Sequence, residues 1–161
     1  MELIPTTDQQ LRTLAEDDED LSPYFAGVFP SDKLPKHPVK DNPQGYIVNI
    51  DESSQPGSHW IGIWTQDNDW GENHCTVMDS FGIPLSRYQA FALESWLAKH
   101  WTKENITMNT HSFQAIDSQT CGAYALMFIM HCSLGGNLKS FQDIFSTKVF
   151  CDKRPSVGNM V

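Results

Sequence analysis

Positive charge is scarce in this 161-residue chain: 11 Lys and Arg stand against 20 Asp and Glu, a formal net charge of −9. Phosphate recognition needs clustered basic side chains, so a broad nucleic-acid footprint is excluded. Much of the negative charge is local, in the run Glu16, Asp17, Asp18, Glu19 and Asp20, which reads as a solvated face. Long apolar runs are missing too. The longest, Ala123 to Met130, falls far short of the ~20 residues that cross a bilayer, so a soluble protein with no membrane partner is expected. The opening MELIPTTDQQ is too polar and acidic for a secretory signal. Cysteine is sparse, with Cys75, Cys121, Cys132 and Cys151 spread widely, which predicts thiols in a reducing compartment. His131, Cys132 and Cys151 fit no closed zinc pattern, and no metal or other cofactor is expected. Repeats and low-complexity segments are absent. The length suits a single domain over 1–161, large enough to bury a core without cross-links.

Thr7 with Gln10 has capping-box spacing, and Leu11, Leu14 and Ala15 come next on one helical stripe, so a short first helix is predicted. It should fray at the acidic run, because carboxylates at a helix C-terminus oppose the dipole, and close at Ser22 and Pro23. Pro30, Pro35, Pro38 and Pro43 mark an irregular loop between strands predicted at Tyr24 to Phe29 and Tyr46 to Ile50. HWIGIWT (59–65) and HCTVMD (74–79) are strand-forming runs joined by the polar DNDWGEN, and predict an antiparallel hairpin. Pairing about Asp69 would set Ile61 against Val77, Ile63 against Cys75 and His59 against Asp79, all on one face. Trp60, Trp64 and Met78 would take the other face. Ser86 with Gln89 predicts a second capping box opening a helix to about His100, with Tyr88, Phe91, Ala92, Trp96 and Leu97 on its apolar side. A strand at Ile106 to Thr110 leads to IDSQTCG, where Asp117 or Ser118 can cap a central helix that ends at Gly135 and Gly136. LKSFQDIFS (138–146) predicts a last helix.

This arrangement places Cys121 in the first turn of the central helix. First-turn amides and the helix dipole favour a thiolate there, and Gly122 beside it costs up to ~1 kcal/mol against Ala inside a helix. A glycine in that place suggests that a substrate backbone must come close. His59 can take and return the sulfur's proton, and Asp79 can fix the ring's tautomer. The Cys121 amide supplies one oxyanion donor, with Gln114 or Gln119 as the second. Acyl transfer is the reaction class these parts serve.

GSHW (57–60), MDSFG (78–82), QAIDSQTCG (114–122) and, more loosely, SPYFAGVFP (22–30) together resemble the adenovirus endopeptidase or adenain family. That family belongs to a wider group of cysteine proteases that includes the SUMO-specific proteases. The resemblance spans residues 1 to 135 and preserves the order His, acid, Gln, Cys. It implies an α+β fold in which a central helix carrying the nucleophile packs on a mostly antiparallel sheet. It implies His59 as base, Asp79 as orienting acid, Cys121 as nucleophile, and Gln114 with the Cys121 amide as oxyanion hole. Gln114 keeps the adenain-like spacing of seven to the cysteine, whereas Ala115 stands where SUMO-specific proteases usually carry their Gln. Gly57, Trp60 and Gly122 fall at positions suited to binding substrate. The implied substrates are extended polypeptides cut beside glycine, such as viral structural precursors, in the host nucleus or cytoplasm or in the virion. Lys103 stands where adenovirus enzymes hold the cysteine that bonds an activating peptide. Activity without that peptide is therefore expected, and the net negative charge argues against stimulation by DNA.

The same residues would serve a deconjugating isopeptidase for ubiquitin-like modifiers or an acyltransferase. An interaction domain that keeps the fold without catalysis is the non-enzymatic alternative. Nothing in the sequence fixes the oligomeric state.

Overall fold

The computed structural model describes residues 7–113 and 120–153, with side chains to 145. The chain runs α1 (Asp8–Asp17), β1 (Phe25–Pro30), β2 (Gln44–Asn49), β3 (Trp60–Asp67), β4 (Asn73–Met78), α2 (Phe91–His100), β5 (Ile106–Met108), α3 (Cys121–Ser133) and α4 (Leu138–Lys153). The five strands form one sheet in sequence order. Its longer ladders, β2 with β3 and β3 with β4, are antiparallel, while β1 and β5 join the two edges in parallel. This is the α+β architecture expected from the resemblance.

Period-2 alternation loads both faces of the sheet. Ile47, Trp64 and Met78 meet Leu11 and Ala15 of α1, Ala125, Leu126, Phe128 and Ile129 of α3, and Phe141 of α4. The opposite face, with Tyr46, Val48, Ile61, Ile63, Cys75 and Val77, packs against Leu93, Trp96 and Leu97 of α2. The helix bearing Cys121 thus lies across the middle of the sheet. Gly62 in β3 lets it come close: a Cβ there would stand 2.9 Å from the backbone oxygen of Ala125. Because that obstacle is helix backbone, Gly62→Ala should lower stability by about 1–3 kcal/mol. A lower urea midpoint at constant slope would show it; an unchanged midpoint would mean that α3 can shift freely.

The Thr7–Gln10 capping box forms in both directions, and Leu11 and Ala15 are buried, but Leu14 is exposed. The acidic run caps the turn after α1, with Asp18 Oδ1 accepting the Asp20 and Leu21 amides, and Ser22–Tyr24 forms a 3₁₀ turn. Four other expectations are corrected. The hairpin pairs Ile63 with Val77 and Thr65 with Cys75, a slip of two residues from the expected register. Ser86 and Gln89 form no capping box: Leu85–Tyr88 is a 3₁₀ turn, Gln89 adopts φ +57, and α2 starts at Phe91, which is exposed. β5 stops at Met108 instead of Thr110, because the Asn109 side chain takes over bonding to the neighbouring chain. The last helix extends beyond 146 to Lys153. Thr120 occupies the N-cap of α3; Asp117 and Ser118 lie outside the described residues.

Candidate active site

Three segments distant in sequence meet at one end of the sheet. His59 lies immediately before β3, Asp79 immediately after β4, and Cys121 opens α3. All three are buried. His59 Nε2 bonds Asp79 Oδ1. The backbone amide of Trp60 donates to Cys121 Sγ at 3.3 Å, which ties the sulfur to the residue next to the histidine. His59 Nδ1 makes no aligned hydrogen bond to a described residue, yet Cys121 is close enough to help hold the ring's proton. With Nε2 committed to the carboxylate, Nδ1 is the nitrogen open to exchange with sulfur.

The carboxylate is held on every side. Asp79 Oδ2 accepts the Ile83 amide at 2.9 Å and the Tyr88 hydroxyl at 2.8 Å. Burial alone would push this acid up, but His59, Ile83 and Tyr88 all favour its charged form and bring it below the usual carboxylate range. Burial likewise works against a charged ring at His59, and the bond to Asp79, with coupling to Cys121, outweighs it. The ring is raised to about 9. It stacks on Phe81 and Tyr88, with centroids at 5.0 and 5.2 Å. Gly82, at φ +67, completes the turn after the acid; a Cβ there would lie 2.7 Å from the carbonyl of His111.

Histidine, acid and cysteine therefore converge as the sequence suggested. Gln114 and Gln119 lie outside the described residues. Trp60 is half-buried against the helix-side core, and Gly57 sits in the exposed loop before β3. Gly122 is buried in α3. Among the other described cysteines, burial pushes the Cys75 thiol up beyond any ordinary titration and that of Cys132 up to about 12. Tyr88, expected on the apolar side of a helix, instead bonds the acid, and Asn109, expected within a strand, holds its backbone. Tyr88 had no local signal, since its partners are nine and 29 positions away. Sulfur, imidazole and carboxylate in this order are the parts of nucleophilic acyl transfer.

Residues 21–157 match the family described as Ulp1 protease family, C-terminal catalytic domain. The chain is also similar to protein R355 of Acanthamoeba polyphaga mimivirus, a thiol protease by its given name. The two are 31% identical over 122 residues, covering 68% of this chain and 39% of that protein.

Proposed function

The chain belongs to the Ulp1 protease family and is a cysteine-type peptidase acting on protein, and from that premise we propose that Cys121, His59 and Asp79 are its catalytic triad. The observation that carries this is a buried imidazole bonded to a carboxylate, with a buried helix-opening sulfur held by the backbone amide of Trp60, the residue after the histidine. His59 accepts the Cys121 proton, and the sulfur attacks the scissile carbonyl carbon. The carbonyl electron pair moves to oxygen, where the Cys121 amide and, by resemblance, Gln114 stabilise it. Collapse expels the amine, which takes the proton from His59 and leaves a thioester. Water, deprotonated by the same ring, then releases the acid and restores the thiol. Asp79 keeps the ring oriented throughout and compensates its charge.

The substrates are extended segments of viral structural precursors, cut at glycine-containing sites where substrate backbone passes close to the enzyme. This reading comes from the adenain-like motifs and is compatible with the similarity to a mimivirus protein. Such a role places the protein in the host nucleus or cytoplasm, or in the virion. A second reading, a deconjugating isopeptidase for ubiquitin-like modifiers, is favoured by the match to the Ulp1 family. Two parallel assays separate them. The purified chain should cut a peptide library beside glycine, as read by mass spectrometry, and should ignore folded ubiquitin-like modifiers that carry a C-terminal electrophile. Capture of such a modifier, with no cut in the library, would replace the precursor reading with the second.

A further inference from the structure

Asn109 is buried one position beyond β5, and its side-chain hydrogen bonds go to neither His59 nor Cys121. Its side chain holds the backbone of Asp79 from both sides: Oδ1 accepts the Asp79 amide at 2.8 Å, and Nδ2 donates to the Asp79 carbonyl at 2.6 Å. Nδ2 also donates to the His111 carbonyl at 2.9 Å. The β4–β5 ladder ends with Val77 against Met108, so one side-chain amide does for Asp79 what a strand would otherwise do. The same two stretches are joined again further on. The Phe113 amide donates to the Ser80 carbonyl at 2.7 Å, the Ser112 hydroxyl donates to it at 3.3 Å, and Gly82 fits directly against His111. Residues 109–113 therefore clasp the turn 79–83. The same stretch of chain leads on toward Cys121.

The catalytic demand on Asp79 is directional. Its Oδ1 must stay aimed at His59 Nε2 while Oδ2 receives two other donors. A carboxylate is only as well aimed as the backbone that carries it. We propose that Asn109 is a positioning residue for Asp79, fixing the acid's backbone so that its carboxylate stays directed at His59. This rests on the triad reading. It makes Asn109 part of the catalytic apparatus without contact to substrate or sulfur. A core amide that served folding alone would satisfy the same three bonds, and the two roles differ in what its removal does to the histidine.

The test is a double-mutant cycle in the full chain, reading kcat/KM against pH together with the melting temperature. Asn109→Ala should lower kcat/KM by about 10²-fold, the effect of a misplacement near 1 Å. It should also move the alkaline limb to lower pH, since a poorly aimed carboxylate supports the charged ring less well. In an Asp79→Asn background the same change should cost less than about threefold, because Asn109 then has no carboxylate to aim. If Asn109→Ala does not fold, Asn109→Asp gives the same readout: it keeps the acceptor for the Asp79 amide but sets an acid against two carbonyl oxygens. A fall in melting temperature with an unmoved limb and unchanged kcat/KM would overturn the proposal. So would losses that multiply in the double mutant while Asp79→Asn alone is strongly impaired. An Asp79→Asn protein with normal turnover would instead remove the triad reading, and this proposal with it.

Discussion

Asp79→Asn should lower kcat/KM by about 10³–10⁴-fold while leaving the chain folded. The size comes from the donors around the carboxylate. Oδ2 receives both the Ile83 amide and the Tyr88 hydroxyl. An asparagine would have to place its carbonyl oxygen there, because an NH₂ group would face two donors. The amide then turns its NH₂ toward His59 Nε2, which must accept instead of donate. The neutral ring's proton is forced onto Nδ1, the nitrogen required to receive the proton of Cys121. The pH profile should change as well. In the wild type the ring is raised to about 9, against the opposing effect of burial. A raised histidine carries its proton below that value and loses it above, so the protonated ring is available to the leaving amine up to the region of pH 9 and fades beyond it. Without the carboxylate, burial is opposed less, and the alkaline limb of kcat/KM should move to lower pH. An unaltered profile would mean that Asp79 serves only the turn.

Cys121→Ala should abolish turnover, with a loss of about 10⁴–10⁶-fold, the scale on which removal of a nucleophile acts. The structural cost is modest: the bond that the sulfur accepts from the Trp60 amide is worth about 1 kcal/mol. Circular dichroism should therefore remain that of the wild type. Cys75 and Cys132 are the controls. Both are buried among apolar side chains on opposite faces of the sheet, and burial pushes both thiols up. Alanine at either position should lower the urea midpoint and leave kcat nearly unchanged, the reverse of the Cys121 outcome. Identical peptide cuts by wild type and Cys121→Ala would exclude Cys121 as nucleophile.

The convergence of these residues was legible because it depended on parity. The hairpin was expected to pair about Asp69, but Asn68 builds a wider loop, its Oδ1 accepting the amides of Trp70 and Glu72, and the axis falls at Trp70. A slip of two residues preserves every side chain's face, whereas a slip of one would have reversed them all. Ile61, Ile63, Cys75 and Val77 therefore share a face as expected, and His59 still reaches Asp79. Local spacing failed at Ser86 and Gln89. There Pro84 leads into a 3₁₀ turn, and Gln89 takes a left-handed conformation that few non-glycine residues adopt. That turn carries Tyr88 to the acid. Neither Tyr88 nor Asn109 was legible, because each acts through contacts across the fold that no periodicity encodes. The family resemblance located the wider protease group correctly, and the match falls on its Ulp1 side. The spacing that favoured Gln114 concerns residues outside those described.

The central claim is that one buried imidazole, between Asp79 and Cys121, holds its proton far more tightly than an ordinary histidine. Nitrogen NMR of the six histidine rings across pH tests it most directly, with the His59 resonances assigned by their absence from His59→Gln. The His59 ring should be charged at neutral pH and titrate near 9. Titration of this ring near 6.5, the value of an unperturbed imidazole, would contradict the account.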